Sequence, residues 1–420
     1  MRVLKQRVLL ELDEVLIAFR GGSVEVNESR ARVEGYRLCV EGCWAIVSSQ
    51  GSAPRREALE RLEKSLRLRA EQGKCPGLPD SWDEFSGHVE FGKDLDDYDS
   101  VVELVAGLCH EVEELEPSVV CEAVVMVRRR RRCIESEHSR AEETKRIVEV
   151  TFSLAKRGAG AVGATSFRAL VPMNARDVHQ LIEECYREAL ERLRRASTVK
   201  SLSVLERGKA CLVLDSEAAG ALFHEVSHLL DPHIGGSLLR GSKIAVPEIQ
   251  LVDDPTLVYA PSLRFFDDEG VRCRRRVLIE DGTVVELHST LATSRISGSE
   301  PGSAHGLFTT PIPFHTTLVV EGGDWKDSEI LEETRRGFLI GGAAMATLEG
   351  GWIRIVPQYV FRIDRGELVE ALRVRSVRIP LQALKTIDAV GRERRMRCSY
   401  EKEWLVTEIS PMIRVLGVVE

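Results

Sequence analysis

Residues 210–233, Ala-Cys-Leu-Val-Leu-Asp-Ser-Glu-Ala-Ala-Gly-Ala-Leu-Phe-His-Glu-Val-Ser-His-Leu-Leu-Asp-Pro-His, constrain the fold more than any other stretch. Ala210 to Leu214 is a short apolar run of strand type. Asp215 and Ser216 are good N-caps, because their side-chain oxygens accept from the orphan amides of a first helical turn. The pattern predicts a helix to about Leu230, stopped by Pro232, since proline disfavours helical geometry in the residue before it. Inside it lies His224-Glu225-Val226-Ser227-His228. Residues four apart stack on one helix face, so both imidazoles project together. Two nitrogens at that spacing can hold one zinc ion, and Glu225 can take a proton from the water the ion binds. The competing reading is a helix with two satisfied histidines. The strand and cap before the motif, and the apolar Leu222, Phe223, Val226, Leu229 and Leu230 that would bury the other faces, favour the metal.

At 420 residues the chain suits two domains or one large elaborated one. Its 43% hydrophobic and 30% charged residues are ordinary for a soluble globular protein. A net charge of −8 argues against a nucleic-acid protein, whose phosphate partners want a basic surface. No stretch reads as a signal peptide or a membrane span, so the expected location is cytoplasmic. Ten cysteines are scattered without a C-x-x-C pair, and the expectation is buried thiols in a reducing compartment.

In the N-terminal half, residues 14–50 read as a β-meander. Its short runs are Val15 to Phe19, Ser23 to Val26, Tyr36 to Val40 and Trp44 to Ser48, broken at Gly21-Gly22, Asn27-Glu28 and Glu41-Gly42. A helix follows from Ser52 to Glu71, then a long loop over 74–98 holding His88, which reads as a solvated histidine. A second helix is expected over about 100–114, then strands Val119 to Arg132 and Arg146 to Leu154, antiparallel to each other. The five arginines Arg128 to Arg132 read as a solvated strand end that blocks aberrant pairing. Gly158-Ala-Gly160-Ala-Val-Gly163 matches G-x-G-x-x-G, but a strand rather than a helix follows it. The reading is a glycine-rich hairpin, not a dinucleotide site. Asn174 to Ala196 is a long amphipathic helix with Asn174 and Asp177 at capping-box spacing. The expected class is α+β, with an N-terminal mixed domain over 1–197 and a strand-rich catalytic domain over 198–420.

After the metal-ligand helix come Gly235-Gly236, a strand ending Val252-Asp253-Asp254, then Phe266-Asp267-Asp268-Glu269-Gly270 and Leu278-Ile279-Glu280-Asp281-Gly282. In this order the motifs resemble the TldD/PmbA family of DNA gyrase modulators, specifically its TldD-type metalloprotease subunit. Gly42-Cys43-Trp44 followed by Ala58-Leu59-Glu60 resembles the family's N-terminal domain. The resemblance implies Zn2+ held by His224, His228 and a cysteine near the C-terminus, which corresponds to Cys398, with Glu225 as general base. The family's motif is commonly His-Glu-x-x-x-His; the spacing here is one residue shorter. Glu248 is the alternative third ligand, twenty positions past His228. His233 is a further candidate, and Asp231 could orient an imidazole. His305 and His315 are candidate oxyanion helpers.

The expected function is a zinc peptidase acting on short or unfolded peptides. The resemblance implies peptides held in extended form by strand addition. It also implies assembly with a homologous TldE/PmbA-type subunit lacking the metal site, or with further copies of the chain. Two other readings stand beside it: a non-catalytic peptide-binding subunit of the same fold, and a DNA- or gyrase-associated regulator that would use the arginine run.

Overall fold

The computed structural model describes residues 1–49, 56–158, 162–196, 199–203, 207–233 and 239–420. Two sheets carry the fold. The first takes strands β1 (Val3–Arg20), β2 (Ser23–Val40), β3 (Cys43–Ser49), β4 (Gly87–Phe91), β5 (Val119–Glu135), β6 (Arg140–Lys156) and β7 (Val162–Leu170). Their spatial order is β3-β2-β1-β5-β6-β4, with β7 also on β6, and among the described residues only the β4–β6 pairing of this sheet is parallel. Helices α2 (Tyr98–Leu115) and α3 (Ala175–Ala196) bury their apolar faces on this sheet around Phe152, Val105 and Ile182. α1 (Arg56–Glu71) packs Leu66 near β2 and β3.

Several expectations hold and some do not. Asn174 Oδ1 accepts from the Asp177 amide at 3.1 Å, the predicted start of α3. The Gly163 strand returns antiparallel to β6, as a hairpin should. Gly160, the Ser52 start of α1, Gly235-Gly236 and the 197/198 junction lie outside the described residues. Asn27-Glu28 is no break: β2 runs unbroken from Ser23 to Val40, because its exposed polar stretch stays paired residue by residue with the half-buried β1. The arginine run is not a strand end either. β5 lies between β1 and β6, and its arginines pair across the sheet, Arg128 with Glu14 and Glu149, Arg131 with Glu11 and Glu142, Arg132 with Glu143. Four cysteines are not thiols but form the disulfides Cys43–Cys75 and Cys109–Cys121.

The second sheet is mixed and includes β8 (Val199–Ser201) and β9 (Gly208–Leu214) among its 14 described strands. β9 lies antiparallel to the closing strand Trp404–Val419 and parallel to Arg336–Gly341. The main core lies between this sheet and helix α4 (Ser216–His228) and includes Leu222, Phe223, Leu214, Ile340 and Ile413. Asp215 Oδ1 accepts from the Ala218 amide at 2.8 Å, the predicted cap. Gly220 lets α4 approach the closing strand closely, since a Cβ there would sit 3.3 Å from that of Glu408. The chain thus follows its expected class, a strand-rich α+β fold with an antiparallel-dominated N-terminal sheet and a large mixed C-terminal one.

Candidate metal centre

α4 is buried on nearly every face, so the polar side chains of its last turns must find partners inside the protein. His224 Nδ1 donates to Glu408 Oε1 at 2.7 Å. Its other nitrogen, Nε2, stands 3.7 Å from Glu401 Oε2, and His228 Nε2 stands 3.8 Å from the same oxygen. The two imidazoles and Glu401 therefore converge on one point, with all three donor atoms within 4.8 Å of one another. Donors sharing a tetrahedral zinc at about 2.0–2.1 Å would be about 3.4 Å apart. The two spacings to Glu401 need only a slight contraction, and two imidazoles with a carboxylate are a common zinc donor set, so the residues fit the ion.

Glu401 is on the hairpin Ala389–Glu401/Trp404–Val419, which closes at the Glu401–Trp404 pair. Side chains alternate along a strand, so Arg397, Ser399 and Glu401 share the face toward α4. Arg397 Nη1 and Ser399 Oγ donate to Glu408 at 2.8 and 2.9 Å. Cys398 has the opposite parity. It lies in an apolar cluster with Ile147 and Ala169 of the first sheet, where burial pushes its thiol up to about 12. The structure therefore brings His224, His228 and Glu225 together and leaves Cys398 on the far side of its strand. Glu248 and His233 are exposed and belong to neither of the potential ligand groups among the described residues. Asp231 accepts from the His233 amide at 2.8 Å; the carboxylate behind the imidazole is that of Glu408.

A buried polar chain extends behind the site. His315 Nε2 faces Glu408 Oε1 at 3.4 Å, and its Nδ1 stands 2.9 Å from Ser227 Oγ. That hydroxyl also meets His288 Nε2 at 2.8 Å. One set of tautomers satisfies the chain: His288 Nε2–H donates to Ser227, Ser227 donates to His315, and His315 Nε2–H donates to Glu408. His288 Nδ1 is then a lone pair, which agrees with its lack of a partner among the described residues. Phe314 packs against His228 and His315, with ring centroids 4.6 and 4.2 Å away.

The electrostatics follow from this packing. Burial opposes a proton on His224, but Glu401 and Glu408 outweigh it and push the ring up to about 9. Burial, and then the charge on His224, bring His228 down to about 4. Burial brings His315 to about 4 as well. Glu408 is held well below the carboxylate range against its burial, chiefly by Arg397. Burial raises Glu225, which His224 and the Leu348 amide oppose. His305 is apart from the donors, its Nε2 2.8 Å from Arg264 Nη2, and His88 is half-exposed beside Glu142.

A family model for the PmbA/TldA metallopeptidase C-terminal domain matches residues 207–419. A metalloprotease of Archaeoglobus fulgidus is 24% identical over 361 residues, covering 82% of this chain and 81% of the relative. A metalloprotease of Methanothermobacter thermautotrophicus is 30% identical over 227 residues, half of each chain (50% and 50%). Among solved structures, a Bacteroides thetaiotaomicron protein named for DNA gyrase modulation superposes with a TM-score of 0.76 at 18% identity, over 99% of this chain and 94% of that one. TldE from Thermococcus kodakarensis superposes with a TM-score of 0.71 at 17% identity, over 99% and 96% of the two chains. Both superpositions speak to the fold.

Proposed function

Because this chain belongs to the PmbA/TldD metallopeptidase family, we propose that it is a zinc-dependent peptidase of short or unfolded peptides. In this reading His224, His228 and Glu401 hold the ion and Glu225 is the general base. The observation that carries it is the convergence of three donors beside Glu225, with Glu408 behind His224.

A zinc ion held there supplies Lewis-acid polarisation of the scissile carbonyl and of the attacking water. The protein's own groups do the rest. Glu408 holds His224 in the Nδ1–H tautomer, so Nε2 presents its lone pair to the ion. Glu225, whose proton affinity burial raises, accepts a proton from the water and returns it to the leaving amine. Among the described residues the strand Met345–Glu349 pairs on one side only, with Trp352–Val356, and the Leu348 amide faces Glu225. Its free edge offers an extended peptide backbone hydrogen bonds beside the donors. Assembly with a homologous subunit, or with a second copy, and a cytoplasmic location belong to the same proposal; no helix among the described residues is long and apolar enough to cross a membrane. The arginine run gives a DNA-regulator reading no support, since Arg128, Arg131 and Arg132 are engaged with carboxylates.

The test is metal analysis beside hydrolysis of an unfolded peptide. Wild type should carry about one zinc per chain, and Glu225→Gln should keep it while losing activity by about 10²–10⁴-fold. Glu401→Gln should lose zinc and Cys398→Ser should retain it. Wild-type turnover by Glu225→Gln would overturn the assignment. Peptide binding without zinc or turnover would favour a non-catalytic subunit.

A further inference from the structure

A second, cationic pocket lies between the two sheets, where β5 and β6 face the segment Pro261–Arg264. Its charges do not balance. The buried carboxylates Glu143 and Asp268 are both committed to Arg132, at 3.1 and 2.5 Å. Three more cations remain. Lys145 is buried and donates to the Pro261 and Leu263 carbonyls, at 3.3 and 2.5 Å. Arg264 is buried and donates to Thr316 Oγ1 at 3.0 Å and to the Ala304 carbonyl at 3.1 Å, with Asp268 no nearer than 3.9 Å. Arg130 has no carboxylate within 4.0 Å among the described residues. In the β5–β6 register it stands directly opposite Lys145. Like charges opposed across a strand pair are destabilising, and burial enlarges the effect. Burial, with the neighbouring cations, lowers Lys145 to about 7.

These cations border a partly open cavity of about 30 Å3 that His305, Trp404 and the Arg132-bound carboxylates Glu143 and Asp268 also line. That is room for a carboxylate group or two waters, and too little for a phosphate ester with its base. The pocket adjoins the candidate metal centre. Trp404 pairs with Glu401 across the hairpin tip, and Phe314 touches both His305 and His228, with centroids 6.4 and 4.6 Å away.

We propose that this pocket binds the C-terminal carboxylate of the peptide substrate, with Arg130 as the anchoring cation and Lys145 and Arg264 completing the site. That the carboxylate belongs to a peptide rests on the peptidase reading above; that the pocket takes a carboxylate does not. The protein would then act near free C-termini, on chain ends rather than internal stretches.

The experiment measures binding of an unstructured pentapeptide, as the free acid and as the C-terminal amide, to full-length zinc-loaded Glu225→Gln protein, so that turnover does not interfere. The acid should bind about tenfold or more tightly than the amide. The difference should vanish when Arg130→Gln is added, while amide affinity stays unchanged. Arg130 leaves no partner unpaired, so this change should not unfold the chain, and the melting temperature checks it. Equal affinity for acid and amide, or a difference that survives Arg130→Gln, overturns the proposal. Sodium acetate separates the two sources of the anion. Loss of the acid's advantage at high acetate supports a peptide end in the pocket, whereas acetate binding with no acid–amide difference assigns it to free small carboxylates and overturns the peptide end. If wild type hydrolyses neither peptide yet the discrimination persists, the peptidase reading falls and the pocket stands.

Discussion

Glu408 is the residue whose loss should report most directly on the candidate metal centre. It is buried in the closing strand, holds the His224 ring and is itself held by Arg397 and Ser399. Glu408→Gln should weaken zinc affinity about 10–100-fold, measured by chelator competition; an unchanged affinity would remove Glu408 from the site. His224 makes a second prediction. In the ion-free protein its ring is pushed up from 6.5 to about 9, so it is protonated at neutral pH and zinc must displace that proton from Nε2. Zinc binding should therefore release about one proton near pH 7, and apparent affinity should rise with pH until about 9. Calorimetry in buffers of different ionisation enthalpy counts that proton, and no release would mean that the ring is already neutral. The linked stability has a definite sign. Because the folded ring holds its proton more tightly, the stabilisation is complete below pH 6.5 and is lost as pH rises through about 9. The two candidate donors on α4 could be named from the sequence because four-residue spacing fixes a helix face. The third could not, since a strand alternates every residue and a register cannot be read from Met396-Arg397-Cys398-Ser399-Tyr400-Glu401 alone. One signal did exist: Glu408 is a lone carboxylate within the apolar run Trp404-Leu-Val-Thr-Glu-Ile-Ser-Pro-Met-Ile.

At the scale of elements, caps and apolar periodicity located α3 and α4 well. Polar composition misled the reading of β2, whose charged stretch is a ribbon paired along its whole length with β1. The disulfides were hidden for a related reason: sulfurs 32 positions apart in sequence meet only once β3 and the segment after α1 are in place. Closing a loop of that length stabilises a chain by about 3–4 kcal/mol in the entropic account. Cys43→Ser should cost about that much in urea denaturation, and a reductant should destabilise wild type but not the Cys43→Ser/Cys75→Ser pair to the same degree. An unchanged midpoint in reductant would show the thiols unpaired in solution. Disulfides belong mainly to oxidising compartments, yet they are also frequent inside hyperthermophilic archaea, so they leave a cytoplasmic location as a proposal.

The two sheets meet through buried charge as well as apolar surface, and this bears on how the molecule unfolds. Arg132 of β5 reaches Asp268 and the Phe266 carbonyl, at 2.5 and 2.6 Å, and lies over the Phe266 ring. Gln6 of β1 donates to the Glu269 carbonyl at 2.7 Å, and Arg37 of β2 donates to the Gly306 and Leu307 carbonyls. Tyr400, next to Glu401, bonds Glu149 and accepts from Arg128 of the first sheet. The Asp-Asp-Glu-Gly stretch, noticed in the sequence only as a motif, is thus a joint between the sheets. If either sheet opened alone, these ions would lose their partners, so both should unfold together. Arg132→Met would leave Glu143 and Asp268 buried without the cation that hydrogen-bonds them, with Arg130, Lys145 and Arg264 only nearby, a loss of up to about 3–5 kcal/mol. The expected result is a large fall in the urea midpoint, followed equally by probes in both halves, such as fluorescence of single-tryptophan variants keeping Trp82 or Trp352. Two separate transitions in the wild type, or a midpoint untouched by Arg132→Met, would show that the sheets are independent and that the donors on α4 do not depend on the N-terminal half for their stability.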